Sequence, residues 1–437
     1  VNTFKNPSKI MSNQRSAWNG HVWFPYAYQD YLRGTKGLKF GDWTKRVLAL
    51  KGNVRVLSAT SLLGGASLVM VTVTYQPFIL SLGAPMALLG LLEALGGRHG
   101  MITSLIQSLG GWLSDRIGRR LLVILGSALS LTALAFSTLA CLFHNGAWLV
   151  PASIALGLSA VNLPAIDSSV AESVETHERS MAYSVIMFFT ILPGIFASAI
   201  GGFMADRFGY VAVFLTGTFL QGLSLVLILR FMRETLRNLH GVEWFELVKS
   251  FKAFLVPMKE LKGFYLAMAT DFFFWGIGSA ILFGLLRETY NFSNFQLGIM
   301  WTILSISSAG SQLPLGILIR KYGCKKFLML SEAIGILMMT GWFMFTSFEA
   351  FVMLEILRGL VFSTWTPAMK TFLMNKVSEE GRAEAMGKLA AFIGLVGFPA
   401  PFIGGVLYDT MGFRAPIATG LVGVTLALAL IFILVHE

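Results

Sequence analysis

Long apolar stretches separated by short polar segments run along this chain of 437 residues. About twelve of the stretches reach the roughly 20 residues that a helix needs to cross a bilayer. We number them as spans 1 to 12, at residues 54–80, 86–112, 121–142, 147–171, 181–204, 210–231, 263–286, 295–319, 326–347, 350–374, 384–407 and 414–435. The pattern predicts an all-α integral membrane protein.

A short pattern recurs four times in the connections between spans. It reads GGWLSDRIGRR from Gly110, GGFMADRFG from Gly201, PLGILIRKYGCKK from Pro314 and GGVLYDTMG from Gly404. A longer repeat overlies it, because residues 164–210 align without a gap on residues 367–413. Nested repeats in an apolar chain are typical of secondary transporters built from inverted triplets within two parallel halves. We therefore expect two pseudo-symmetric six-helix bundles, each an inverted 3+3 repeat.

The repeats predict four regions along the chain. These are an N-terminal tail at 1–52, a six-helix bundle at 53–232, a linker at 233–262 and a second bundle at 263–437. If the tail is cytoplasmic, 29 of the 34 Lys and Arg residues fall on the cytoplasmic side, where positive charge is retained. We expect a multi-pass protein of the cytoplasmic (inner) membrane of a prokaryote, with both termini cytoplasmic.

Composition and charge narrow the classes of function. Charged residues make up 13% of the chain, against about 25% in soluble domains. The net charge of +11 indicates a surface that faces anionic lipid rather than a nucleic-acid site. No spacing typical of a metal site or of ATP hydrolysis occurs, and Cys141 and Cys324 fall on opposite faces of the membrane. We expect no enzyme activity, cofactor or metal, and a gradient of protons or another ion as the energy source.

The tail combines aromatic residues, among them Trp18, Trp23 and Trp43, with nine basic residues. It lacks the apolar core of a cleavable signal. One interpretation is an interfacial segment whose rings and cations meet the lipid headgroups. The other is a docking site for a partner protein. We otherwise expect a monomer.

The first copy of the short pattern resembles the signature loop of the major facilitator superfamily, GxLaDRxGRR/K between spans 2 and 3. Its positions are filled by Gly111, Leu113, Asp115, Arg116, Gly118, Arg119 and Arg120. The copy after span 8 has Arg320 in place of the acid. The resemblance covers residues 53–437 and implies a twelve-helix transporter. It also implies that this loop latches the two halves on the cytoplasmic side when the binding site faces outward.

Local chemistry fits a latch at this loop. Asp115 is an acceptor that can cap a neighbouring helix or pair with the arginines that follow it. The alternative is a basic loop that only sets the topology. We interpret the copies with Asp206 and Asp409 as structural turns on the outer side, because Gly209 and Gly412 suit a tight reversal.

Ionisable residues inside spans are costly and therefore usually functional. The candidates are Glu93, Arg98 and His99 in span 2, Asp271 in span 7, Glu332 in span 9, and Glu355 and Arg358 in span 10. The resemblance implies that spans 1, 4, 7 and 10 line the central cavity. This selects Asp271, Glu355 and Arg358, with Trp365 continuing their face, and makes a contact between Asp271 and Arg358 feasible. The alternative is an internal ion pair that only stabilises the second half.

Span 2 has an unusual glycine-rich stretch, LGGRHG, around Arg98. Each glycine disfavours a helix by about 1 kcal/mol. Either the helix is broken at Gly96–Gly97, so that Arg98 reaches the cavity, or Arg98 is held by a neighbouring helix.

These observations predict a secondary transporter that moves a small organic solute by alternating access. Arg98 and Arg358 favour an anionic or amphipathic solute, and Asp271 or Glu355 would carry a proton. Span 5 lacks the GPxxGG motif of drug antiporters, and Ala155 stands where many of them have an arginine. Efflux of lipophilic compounds and a non-transporting scaffold or assembly factor of the same fold remain the alternatives.

Overall fold

The computed structural model describes residues 52–97, 100–175, 179–236, 258–377 and 382–436, and all regular structure in these residues is helical. The first six spans are the helices Asn53–Ser81, Met86–Gly96 with Met101–Ile117, Arg119–Leu142, Leu149–Ser159 with Asn162–Ser173, Arg179–Phe208, and Tyr210–Phe231. The last six are Lys262–Ser279 with Leu282–Tyr290, Asn294–Tyr322, Cys324–Met344, Phe348–Lys376, Arg382–Gly397 with Ala400–Met411, and Arg414–Leu434.

Ten helical segments in the described residues are long and apolar enough to cross a membrane. The two other predicted spans are helical as well. Span 2 is divided into helices of 11 and 17 residues, and the helix of span 10 carries buried charged residues that lower its hydropathy. The prediction of an all-α, multi-pass membrane protein is confirmed.

Each copy of the repeated pattern ends in a glycine with a positive φ angle. The angles are 103° at Gly118, 79° at Gly209, 99° at Gly323 and 79° at Gly412. Residues with a side chain rarely adopt this backbone conformation. Glycine therefore permits one helix to end and the next to begin within one or two residues. The repeat therefore builds the same tight turn four times. We call the end of the bundle with Gly118 and Gly323 the basic end, and the end with Gly209 and Gly412 the opposite end.

Contacts between the two halves run mainly along two pairs of helices, span 5 against span 8 and span 2 against span 11. Glycines bring the backbones together in both pairs, with Gly202 against the backbone of Asn294 and Gly405 against the backbone of Met86. Close approach through small residues is the usual way in which helices associate in lipid, where packing replaces the hydrophobic effect.

Four spans are interrupted along their length. Span 2 breaks between Gly96 and Met101, span 4 at 160–161, span 7 at 280–281 and span 11 at 398–399. The break in span 2 is one of the two arrangements predicted from its glycines, and the other three were not predicted. A break leaves backbone N–H and C=O groups that other residues must satisfy inside a membrane.

Candidate functional site

The signature loop lies at the basic end and forms a connected set of charged groups. Arg119 is 7% exposed and pairs with Asp115 at 2.6 Å and with Glu172 of span 4 at 3.0 Å. It also donates to the hydroxyl of Ser114. The side chain of Asp115 is 66% exposed, so its carboxylate faces the surrounding solution on the side away from Arg119.

Glu234, which follows span 6, caps the helix that begins after the signature loop. Its carboxylate accepts from the backbone N–H of Arg119 and of Arg120, both at 3.0 Å. Partial burial raises the pKa of Glu234, but the N–H groups of Leu236, Arg119, Arg120 and Thr235 outweigh it and lower the pKa overall. The carboxylate is therefore ionised at neutral pH, where it stabilises a helix N-terminus.

The remaining residues of the loop also find partners in the first half. The guanidinium of Arg116 lies 4.0 Å from the ring centroid of Trp112. Arg120 donates to the carbonyl of Leu229 at 2.8 Å. Gly111 packs against Pro164, and Gly118 makes the turn. The contacts described here for Asp115, Arg119 and Arg120 thus tie the loop to spans 4 and 6 of its own half.

Glu93 belongs to a polar cluster beside the breaks in spans 2 and 7. The side-chain amide of Gln76 donates to Glu93 at 3.0 Å and to the carbonyl of Ala280 at 2.7 Å, and its oxygen accepts from the N–H of Gly284 at 2.9 Å. Gln76 therefore satisfies two backbone groups freed by the break in span 7. Since spans 1 and 7 belong to different halves, this amide also joins the halves. Arg98 and His99 lie outside the described residues.

A carboxyl pair lies inside the second half. Asp271 of span 7 and Glu332 of span 9 are 2% and 1% exposed, and their carboxyl groups interact at close range. The indole of Trp365 is next to Asp271, and that of Trp275 is next to Glu332. In the described residues, no group lies in hydrogen-bond geometry to Oδ1 of Asp271 or to either carboxyl oxygen of Glu332. Two buried carboxyl groups at close range repel each other when both are charged.

Glu355 and Arg358 form a separate ion pair, about two to three turns from Trp365 along span 10. Nη1 of Arg358 donates to both carboxylate oxygens of Glu355, at 3.1 and 3.2 Å. Both residues are buried, and the rings of Phe283, Trp342 and Phe362 surround the guanidinium at 5.8–5.9 Å. Nε of Arg358 is buried without a hydrogen-bond partner among the described residues.

The contact between Asp271 and Arg358 that the sequence made feasible is not formed. Asp271 contacts Glu332 and Trp365, whereas Arg358 pairs with Glu355. Glu332 received no role from the sequence, because the resemblance implied that spans 1, 4, 7 and 10 line the cavity and Glu332 lies in span 9. Its position as an acid within an apolar helix was the available signal.

Comparisons with known proteins agree with this architecture. The sequence profile described as Major Facilitator Superfamily matches residues 56–263 and 263–437. An uncharacterised major-facilitator-type transporter of Schizosaccharomyces pombe is 26% identical over 177 residues, which cover 39% of each protein. The chain thus spans well under two thirds of the length of this curated relative.

Solved structures of transporters share the fold. The nucleoside transporter NupG aligns with a TM-score of 0.68 at 14% identity, covering 87% of this chain and 97% of that one. The D-xylose-proton symporter gives 0.67 at 16% identity, covering 88% and 97%. The human organic anion transporter MFSD10 gives 0.60 at 16% identity, covering 86% and 98%. The profile match, the fourfold signature turn and the shared fold show that the chain belongs to the Major Facilitator Superfamily.

Proposed function

We propose that this protein is a proton-coupled secondary transporter for a small organic solute. The observation that carries the proposal is the group of four buried ionisable residues in spans 7, 9 and 10. Charges inside a membrane are costly, and a transporter that couples two fluxes needs a buried group that changes its charge during the cycle. We assign this role to the Asp271–Glu332 pair, because both carboxyl groups are buried and interact at close range, so that one proton would change the net charge of the pair.

The ion pair and its aromatic surroundings favour an anionic or amphipathic solute. Arg358 carries five N–H donors, of which Nη1 serves Glu355 and Nε has no protein partner. The rings of Phe283, Trp342 and Phe362 offer an apolar surface beside those donors. A solute with a carboxylate and an apolar body would use both features. Efflux of lipophilic compounds would use the rings alone.

The proposal is tested first by binding. Purified protein is screened by thermal unfolding against organic anions, organic cations and neutral lipophilic compounds. Stabilisation by members of the anion class supports the assignment of the solute. Stabilisation by the lipophilic class alone would favour the efflux alternative, and stabilisation by cations alone would contradict the role given to Arg358.

The signature loop supplies a prediction about gating. We expect Asp115→Asn to reduce transport about tenfold while the protein keeps its fold. Asp115 is largely exposed, and the buried Arg119 keeps Glu172 and Ser114 as partners when Asp115 is replaced, so we expect a loss of about 1 kcal/mol or less in the free energy of unfolding. The loss of transport in Asp115→Asn should therefore arise because the variant stabilises the closed basic end less well, and not because the protein unfolds.

Initial rates of solute uptake in proteoliposomes measure this effect, with thermal unfolding as the check on folding. Glu260→Gln, which removes an exposed acid near the end of the linker, is the matched control. Wild-type uptake by Asp115→Asn would leave the loop with a topological role only.

A further inference from the structure

The copies of the signature pattern at the opposite end do more than turn the chain. Asp206 ends span 5 in the first half. Its Oδ1 accepts from the backbone N–H of Asn294 at 3.1 Å and from the side-chain amide of Asn294 at 2.7 Å, and Oδ2 accepts from the N–H of Phe295 at 2.8 Å. Asn294 and Phe295 begin the helix of span 8, which belongs to the second half. One carboxylate thus caps a helix of the other half.

Asp409 does the same in the reverse direction. It ends span 11 in the second half, and its two oxygens accept from the N–H of Met86 at 3.1 Å and of Ala87 at 2.9 Å. These residues begin the helix of span 2, which has no side-chain cap of its own. Asp206 and Asp409 are related by the offset of 203 residues between the halves, so the two caps are reciprocal. The two copies do form tight turns at Gly209 and Gly412, as predicted, and their aspartates in addition cap helices of the other half.

We propose that Asp206 and Asp409 form a pair of reciprocal latches that hold the opposite end of the transporter closed. In the closed state each carboxylate satisfies free N–H groups and faces the positive end of a helix dipole. When the halves separate, water takes over both sets of groups, so each latch is weak enough to reopen. Spans 5 and 8 are further joined by the hydroxyls of Ser198 and Thr302, 2.8 Å apart. Asp115, at the equivalent place at the basic end, is two-thirds exposed.

Accessibility of a buried cysteine tests the latches without a transport assay. Ser198 is fully buried and lies eight residues, roughly 12 Å, inside Asp206 on the same helix. In a background with Cys141→Ala and Cys324→Ala, Ser198→Cys reports on opening of the opposite end through its rate of reaction with a water-soluble maleimide. Ser169→Cys, at a fully buried position near the basic end, is the second reporter.

We expect Asp206→Asn and Asp409→Asn each to raise labelling of Ser198→Cys about fivefold, because the amide offers one acceptor oxygen instead of two and lacks the charge that stabilises a helix N-terminus. The double variant should give about 25-fold, because separate sites act additively. Labelling of Ser169→Cys should not rise. Glu288→Gln, which removes an exposed acid at the same end of the molecule, is the matched control and should label like the parent.

Unchanged labelling of Ser198→Cys in the double variant would overturn the proposal. So would an equal rise at Ser169→Cys, because that outcome marks general loosening of the fold. If either Asn variant fails to fold, oxidative crosslinking of Asp206→Cys to Asn294→Cys replaces it. The crosslink should abolish transport and reduction should restore it, whereas full transport by the crosslinked protein would refute the latch.

The gating role rests on the proposed transport function, but the labelling experiment does not. If the protein transports no solute but shows the expected labelling, the latch is supported and the proposed transport function is refuted. If it transports normally but labelling does not change, the transport function is supported and the latch is refuted.

Discussion

Accumulation of solute driven by a pH gradient is expected to disappear in Asp271→Asn and in Glu332→Gln, while exchange of solute for solute continues. Each amide resembles the protonated acid in shape and holds the pair in one charge state. Net coupled transport needs the proton to leave, whereas exchange does not. For one proton per solute, a gradient of one pH unit supports up to about tenfold accumulation, because ~1.4 kcal/mol is a factor of ten.

In the part of the chain that the structure describes, the groups that act on each carboxyl of the pair are the other carboxyl and a tryptophan indole. Span 10 offers Trp365 to the pair and places Glu355 and Arg358 further along the helix, where they bond each other. Span 12 carries Arg414 only at its start, near the opposite end. Trp275 completes the surroundings from span 7.

Uptake into proteoliposomes with and without an imposed gradient measures the coupling. Glu349→Gln, which neutralises an exposed acid in the first turn of span 10, is the control and should accumulate solute like the wild type. If both Asp271→Asn and Glu332→Gln still follow the gradient, the proton is carried elsewhere.

Removal of Arg358 alone is expected to destabilise the protein strongly. Arg358→Met leaves Glu355 buried and unpaired, which typically costs about 3–5 kcal/mol in the free energy of unfolding. The double variant Glu355→Leu with Arg358→Met removes both charges and should recover most of that loss, since apolar replacements of a buried ion pair are often neutral. Denaturant unfolding in detergent measures the three free energies.

Measurements of transport then distinguish a role of this ion pair in transport from a role in stability alone. We expect the stable double variant to transport solute at least about tenfold more slowly than the wild type, a loss of ~1.4 kcal/mol in transition-state stabilisation. A double variant with wild-type stability and wild-type transport would show that the pair only stabilises the second half. Glu355→Gln alone tests whether the charge of that acid matters when Arg358 remains.

The fold could be read from the sequence because it depends on local signals. Apolar stretches mark the spans, and a glycine at the end of each repeat fixes each turn. The break in span 2 was also visible, because several glycines in a short stretch weaken a helix. The break in span 4 has no comparable cluster of glycines, and the break in span 7 depends on a distant neighbour, Gln76, which bonds the backbone at 280 and 284.

The candidate site was only half predictable, because its pairings are formed between distant segments. Glu355 and Arg358 are three residues apart on one helix, so their contact follows from helical geometry. Asp271 and Glu332 are brought together by the packing of spans 7 and 9, which the sequence does not specify. The same holds for Asp206, whose cap on span 8 depends on the approach of two halves.

Flux through the reconstituted protein tests the central claim most directly. A solute that stabilises the purified protein is added outside proteoliposomes whose exterior is more acidic than their interior. Liposomes with the Glu332→Gln variant and liposomes without protein are measured in parallel. A proton-coupled transporter predicts accumulation above the external concentration by the wild type and equilibration without accumulation by Glu332→Gln. Folded wild-type protein that binds the solute and moves none of it under any gradient would contradict the account and favour a non-transporting scaffold.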